Sequence, residues 1–154
     1  MMDTTCGIYL INNKNQILLV HPINAPKNMW SIPKGVMDEG ETYMETALRE
    51  LFEETNVKLD IDSPKIKRRM EFDLLKYRKT KKQLKSFALI IDDDFDGETL
   101  KCTSTFENRD GIKVPENDLV HWFPLDFKSQ EKFSHIQLHE TQEQILKLIV
   151  EKLK

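Results

Sequence analysis

The segment Thr42–Thr55 constrains this chain most, because its apolar and acidic side chains separate onto different faces of one predicted helix. The apolar side chains recur at the three- and four-residue spacing of a buried stripe, at Met44, Ala47, Leu48 and Leu51. Glu50, Glu53 and Glu54 follow the same spacing on roughly the opposite face. We therefore expect the stripe to pack on a core while three carboxylates crowd the outer face.

Crowded carboxylates repel one another, so a cation bound at this acidic face would stabilise the helix. Mg²⁺ and Mn²⁺ prefer hard oxygen ligands, and either ion would turn the repulsion into binding energy. Arg49 lies four residues before Glu53 and four after Glu45, where it can orient a carboxylate by ion pairing. For the three glutamates taken alone, a solvated acidic surface is the alternative interpretation.

The spacing of the residues around the helix is far more specific than the glutamates alone. The chain resembles the Nudix box, G-x5-E-x7-R-E-U-x-E-E-x-G-U with U a bulky aliphatic residue, at Gly35, Glu41 and the run Arg49–Val57. One fixed position differs, since Asn56 stands where the family has its last glycine. The flanking segments WSIPKG and VHWFPL are also similar to the family's usual surroundings.

The asparagine in the box has a conformational explanation. The glycine that it replaces follows the catalytic helix, where a chain commonly enters the left-handed region to end the helix. Asparagine is the next-best residue there, because its short polar side chain tolerates a positive φ. We predict that Asn56 ends the helix in this way and leaves the ligand set intact.

The resemblance implies an α/β fold of the Nudix type, an α/β/α sandwich around a mixed β-sheet, with residues 1–154 forming a single Nudix hydrolase domain. Segments rich in β-forming residues on both sides of the helix also favour a mixed sheet between helices. We predict strands at Ile8–Ile11, Gln16–Val20, Lys58–Ile61, Ile66–Phe72, Leu74–Arg78, Lys85–Ile91 and Leu119–Phe123. A last amphipathic helix is predicted at Thr141–Leu153, and a polar loop at Asp92–Asp110.

The resemblance also implies a chemistry: a metal-dependent hydrolase that cleaves the pyrophosphate bridge of a nucleoside diphosphate linked to another group, with Mg²⁺ or Mn²⁺ as cofactor. The implied metal ligands are Glu50, Glu53, Glu54 and the backbone carbonyl of Gly35. Glu53 or Glu54 would also touch the attacking water, and Gly35 could instead supply room for a tight turn. Arg49 would orient a carboxylate, and Glu41 would stabilise the helix start, hold Arg49 or bind metal through water.

A further acid often joins the site from a later loop in this family. Three glutamates are candidates, and the sequence leaves the choice open among Glu98, Glu107 and Glu116. The run DDDFDG (Asp92–Gly97) resembles the first half of a calcium-binding EF-hand loop but lacks its closing glutamate. We interpret that run as a solvated loop.

Substrate choice depends on residues outside the box. WSIPKG resembles the corresponding segment of diadenosine polyphosphate hydrolases, of diphosphoinositol polyphosphate hydrolases and, less closely, of mRNA-decapping members, and this favours a dinucleoside polyphosphate such as diadenosine tetraphosphate. ADP-ribose, a capped RNA 5′ end and a diphosphoinositol polyphosphate remain alternatives. Lys34, Lys81 and Lys82 would bind phosphates, and Tyr77 would stack on a base. The alternatives are that Lys34 is an ordinary surface lysine, that Lys81 and Lys82 lie at a solvated hairpin tip, and that Tyr77 belongs to the core.

Composition limits the other classes of function. A net charge of −3 does not favour a general nucleic-acid-coating protein. No apolar run approaches the roughly 20 residues of a membrane span, the N-terminus lacks signal-peptide features, and Cys6 and Cys102 have no metal-binding spacing. We therefore expect free thiols, a cytoplasmic location and no membrane partner. A non-catalytic nucleotide-binding Nudix module stays open, although the complete set of glutamates favours the enzyme.

Overall fold

The computed structural model describes residues 3–78 and 81–154. Strands β1 (Asp3–Ile11) and β2 (Gln16–Pro22) form the predicted antiparallel hairpin. Strand β3 (Lys34–Val36) and helix α1 (Tyr43–Thr55) carry the box. The later elements are β4 (Ile66–Glu71), β5 (Leu75–Lys76), β6 (Lys82–Ile91), β7 (Thr105–Glu107), β8 (Lys113–Pro115), β9 (Asn117–Pro124) and helix α2 (Glu140–Lys152).

The main sheet has the strand order β4-β6-β1-β2-β9, with β3 paired to β1 and β5 paired to β6. The β1–β6 pair is parallel and the other pairs of this sheet are antiparallel, so the sheet is mixed as predicted. Alternate residues of β1 face opposite sides. Ile8 and Leu10 belong to the core that includes α1, whereas Tyr9 and Ile11 belong to the core that includes α2. The predicted α/β/α sandwich is therefore confirmed.

Helix α1 ends at Thr55 as predicted and begins at Tyr43, one residue after the predicted start, because Thr42 is its N-cap. Thr42 accepts a hydrogen bond from the Glu45 amide, and the Glu45 side chain accepts one from the Thr42 amide, which makes a capping box. Asn56 has φ 66° and ψ 14°, and its amide donates to the Phe52 carbonyl. The prediction of a left-handed asparagine at the helix end is confirmed.

Three predicted segments differ from the structure. Lys58–Ile61 forms no strand, since Val57 and Leu59 pack into the core beside α1 without pairing to the sheet. The strand predicted at Leu74–Arg78 shrinks to β5, and the loop Asp92–Asp110 contains β7, which pairs with β8. In the first segment Leu59 is buried, but burial of a side chain does not require its backbone to pair with a neighbouring strand.

Among the described residues, no helix combines the length and the apolar character needed to cross a membrane. The predicted terminal helix is confirmed as α2, shifted by one residue at each end. Both cysteines are free thiols, with Cys6 buried and Cys102 half-buried.

Candidate active site

A cavity of about 530 Å³ lies where β3, α1 and the start of β9 meet. It brings together most of the residues that the box predicted, together with residues far away in the sequence. The acidic residues and the arginine that line it are Asp38, Arg49, Glu50, Glu53, Glu54 and Glu116. The sheet contributes the cations Lys34 and Lys82 to the same cavity.

Strand β3 passes directly against the carboxylate of Glu50. A β-carbon placed on Gly35 would overlap all three atoms of that carboxylate group, so only glycine leaves room for it. The glycine therefore forms a cradle for Glu50, which is 7% exposed. Burial raises the pKa of Glu50 to about 7; the charges of Glu53 and Glu116 add to this rise, and Arg49 opposes it.

Glu54 is held from the same strand. The backbone amide of Lys34 donates to Glu54 Oε1 at 2.8 Å, and the side chain is 5% exposed. Burial raises the pKa of Glu54 to about 8, although the hydrogen bonds from the Lys34 amide and Asn117 work in the other direction. Two adjacent buried carboxylates of this kind are costly to ionise without a cation.

Arg49 organises the outer part of the acidic cluster. Its Nε and Nη2 lie 2.8 Å and 2.9 Å from the two oxygens of Glu41, which makes a bidentate pair. Its Nη1 lies 2.9 Å from Glu50 Oε1 and 3.2 Å from Glu53 Oε2. The hydrogen bond from Arg49 lowers the pKa of Glu41 to about 2. Glu41 is thus placed to orient Arg49, one of the roles that the resemblance left open.

The donor set fits a hard divalent cation. Glu50 and Glu54 each place a buried carboxylate in the cavity, and Glu53 borders the same cavity. Carboxylate oxygens are the ligands that such a cation prefers. No three His, Cys, Asp or Glu side chains in residues 3–78 and 81–154 already converge on one point. Instead, Arg49 Nη1 lies between Glu50 and Glu53 and donates a hydrogen bond to one carboxylate oxygen of each.

The structure distinguishes the three late acids. Glu116 lines the cavity, whereas Glu98 and Glu107 are exposed and are not among the described residues that line it. Backbone hydrogen bonds hold Glu116 on both sides: its amide donates to the Ser104 carbonyl, and its carbonyl accepts from Ile23 at 2.9 Å. Nothing local in the sequence marks Glu116, because its position depends on these two distant segments.

Asn117 is a cavity residue that the sequence did not indicate. It is 5% exposed, it lines the cavity at the start of β9, and its hydrogen bond to Glu54 opposes the rise in the pKa of that carboxyl. An asparagine at the start of a strand has no signature that separates such a role from an ordinary turn residue.

Only some of the predicted substrate-binding residues line the cavity. Lys34 and Lys82 line the cavity, whereas Lys81 is exposed and is not among the described residues that line it. Residues 79–80 of that turn lie outside the described part of the chain.

The prediction that Tyr77 stacks on a base does not fit its position in the structure. It is 7% exposed, and its ring packs edge to face on His139 with the centroids 4.8 Å apart. It belongs to the core beside α2, so it presents little ring surface on which a base could stack.

The DDDFDG run is tied to its surroundings by ion pairs. Asp93 pairs with Lys65 at 2.8 Å and Asp94 with Lys14 at 2.6 Å. Both are ion pairs at the protein surface, in line with the interpretation of a solvated loop.

The chain matches the family model of the NUDIX domain over residues 1–135. The RNA pyrophosphohydrolase of Pelagibacter ubique (strain HTCC1062) is 42% identical over 52 residues, which is 34% of this chain and 33% of that protein. The chain thus spans about a third of the length of two curated RNA pyrophosphohydrolases that it matches, 33% of one and 32% of the other.

Two solved structures share the fold. A bifunctional NMN adenylyltransferase/ADP ribose pyrophosphatase from Francisella tularensis, complexed with AMP and a Mn ion, superimposes with a TM-score of 0.68 at 21% identity, over 100% of this chain and 42% of that one. A C. elegans Ap4A hydrolase binary complex superimposes with a TM-score of 0.63 at 17% identity, over 97% of each chain. At these identities the likeness concerns the fold alone. With the family model matched over residues 1–135 and the box assembled around one cavity, this chain belongs to the NUDIX domain family.

Proposed function

We propose that this chain is a metal-dependent pyrophosphohydrolase that cleaves a phosphoanhydride bond in a nucleoside diphosphate derivative. The observation that carries the proposal is the packing of the buried Glu50 carboxylate on Gly35, beside the buried Glu54, in one cavity. Structural surface glutamates have no reason to be buried together against a glycine cradle. The complete acidic set favours this function over a non-catalytic nucleotide-binding module.

The side chains have distinct proposed roles. Glu50, Glu53 and Glu54 would hold Mg²⁺ or Mn²⁺, the ions suited to hard carboxylate ligands. When bound, the ion supplies neutralisation of the diphosphate charge and a lower pKa for a coordinated water. Arg49, itself oriented by Glu41, keeps the carboxylates of Glu50 and Glu53 in place.

Glu116 is proposed as the group that accepts the proton of the attacking water. It is half-buried, it lines the cavity, and it lies near enough to Glu50 for its charge to act on that carboxyl, after the larger effect of burial. A general base must reach the proton that it removes, and Glu116 is the late acid whose placement allows this.

The proposed substrate is a dinucleoside polyphosphate such as diadenosine tetraphosphate. Lys34 and Lys82 add two cations to the cavity that holds the carboxylates, and a long polyphosphate bridge supplies anionic groups for both. ADP-ribose, whose shorter bridge makes fewer such contacts, is the comparison substrate. A capped RNA 5′ end is a second candidate, favoured by the 42% identity over 52 residues to a protein named RNA pyrophosphohydrolase.

The test is hydrolysis by the purified protein with Mg²⁺ or Mn²⁺ against diadenosine tetraphosphate, ADP-ribose, RNA 5′ ends and a diphosphoinositol polyphosphate, with products resolved by chromatography. Glu53→Gln should lower kcat by about a hundredfold or more, because it removes a ligand charge and keeps the shape. Glu39→Gln, an exposed glutamate that lies outside the cavity, is the matched control. A Glu53→Gln variant with the wild-type rate would show that the carboxylate cluster is not the metal site.

A further inference from the structure

His21 makes two hydrogen bonds, one at each ring nitrogen, that together favour its protonated form. The side chain is 6% exposed in β2, with Nδ1 2.6 Å from Asp118 Oδ1 and Nε2 2.9 Å from the Pro26 carbonyl oxygen. A backbone carbonyl and a carboxylate only accept hydrogen bonds, so the two bonds exist together when both ring nitrogens carry a proton. This is the imidazolium form of His21, and the Trp30 ring lies against the His21 ring in an edge-to-face arrangement with the centroids 5.4 Å apart.

The environment is consistent with this charged form. Burial alone lowers the pKa of His21, but the hydrogen bond to Pro26 and the hydrogen bond and charge of Asp118 outweigh burial and raise it.

His21 connects, through hydrogen bonds, two segments of the chain that lie on either side of Glu116. In the β2–β9 ladder His21 faces Leu119, and the register shifts between His21 and Pro22. Just after this irregularity, the Ile23 amide donates to the Glu116 carbonyl at 2.9 Å. On the other strand, Asp118 lies two residues after Glu116. His21 thus bonds the loop at Pro26 to the strand start that carries Glu116.

We propose that His21 is a positioning residue that holds Glu116 in the cavity through the Asp118–His21–Pro26 bridge. The bridge holds the β9 start against the end of β2, and the Ile23–Glu116 hydrogen bond transmits this restraint to the acid. The consequence for the reaction rests on the proposed function of Glu116, whereas the restraint on the backbone does not.

The first experiment measures the restraint without any substrate. Asp118→Asn, at a half-exposed side chain, weakens the bridge with little risk to folding, and His21→Gln removes one of its two donors. Both variants should speed hydrogen exchange of the Ile23 amide by about tenfold, because the Ile23–Glu116 bond opens more often. His121→Gln is the matched control, since His121 is an exposed histidine that also contacts Trp30. Unchanged exchange at Ile23 in both bridge variants would overturn the proposal.

The second experiment measures coupling to Glu116 with diadenosine tetraphosphate and Mg²⁺. In the wild-type background, Asp118→Asn should lower kcat about tenfold and change KM less than twofold. In a Glu116→Gln background, the same substitution should change kcat less than twofold, because the positioned group is gone. An equal loss of kcat in the two backgrounds would overturn positioning through Glu116. If Glu116→Gln alone left kcat unchanged while Ile23 exchange still responded, the role of Glu116 would fail and the bridge would stand.

Discussion

The backbone amide of Lys34 donates a 2.8 Å hydrogen bond to Glu54 Oε1, from the residue immediately before the glycine on which Glu50 packs. Two consecutive residues of β3 thus hold two glutamates of α1. Neither contact uses a side chain of the strand, so the fit depends on the closeness of the backbone. This relationship makes the strand as important to the acidic cluster as the helix that carries it.

Gly35→Ala should inactivate the protein while leaving it folded. The added methyl group would displace the Glu50 carboxylate, which is the end of a flexible side chain and can move without disturbing the backbone. We expect a loss of kcat of about a hundredfold, as for loss of a metal ligand, with a change in unfolding free energy below about 1 kcal/mol. Urea unfolding and steady-state kinetics check this, and near-normal activity would show that Glu50 does not need its cradle.

Divalent metal should stabilise the folded protein, because an ion that binds only the native state raises its stability. Mg²⁺ or Mn²⁺ should raise the melting temperature, and a chelator should reverse the rise. Glu54→Gln should fold at least as well as wild type without metal, since burial already raises the pKa of Glu54 to about 8. It should lose the metal-dependent shift, while the Glu39→Gln control keeps it. A full shift in Glu54→Gln would exclude Glu54 as a ligand.

Substitutions at Asn56 should follow its backbone conformation. Asn56→Gly should change the unfolding free energy by less than about 0.5 kcal/mol, because glycine adopts φ 66° freely and the lost bond to Thr99 is at the surface. Asn56→Val should cost about 1–2 kcal/mol, since a β-branched side chain is strained at positive φ. Chemical denaturation of the two variants measures the difference, and equal stabilities would contradict it.

Lys82, rather than Lys81, should favour a long phosphate bridge. Lys82→Gln should raise KM for diadenosine tetraphosphate relative to ADP-ribose roughly two- to fivefold, as one exposed ion contact is worth about 0.5–1 kcal/mol. The effect should shrink as salt rises. Lys81→Gln is the control from the adjacent position, since Lys81 is not among the described residues that line the cavity. Equal effects of the two substitutions would mean that only overall charge matters.

His21 should make stability depend on pH. Its pKa is raised in the folded protein from the ordinary value of 6.5, so its contribution is fully present below about pH 6.5 and is lost as pH rises through the folded pKa. Asp118→Asn removes one cause of the rise. The loss of unfolding free energy caused by Asp118→Asn should therefore be larger at pH 6 than at pH 9 in urea titrations. The same loss at both pH values would show that His21 is not charged in the fold.

Short-range features were predicted correctly from the sequence, because they depend on residues within a few positions of each other. The spacing of Glu50, Glu53 and Glu54 identified one helix and its acidic cluster, and the capping residues at either end follow from the same local rules. The pairing of Arg49 with Glu53 is likewise local, at a separation of four residues. The sequence by itself therefore determined the helix, its boundaries and the family pattern.

Tertiary structure decided which distant residues join that helix. Glu116 reaches the cavity and Glu98 does not, because the backbone of Ser104 and Ile23 holds the start of β9 there. Lys82 faces the cavity, while Tyr77 is turned into the core. These outcomes depend on which strands pair and in which register, and a shift of one residue would reverse the face of each side chain. Such long-range pairings leave no local trace in the sequence, so only the folded chain reveals them.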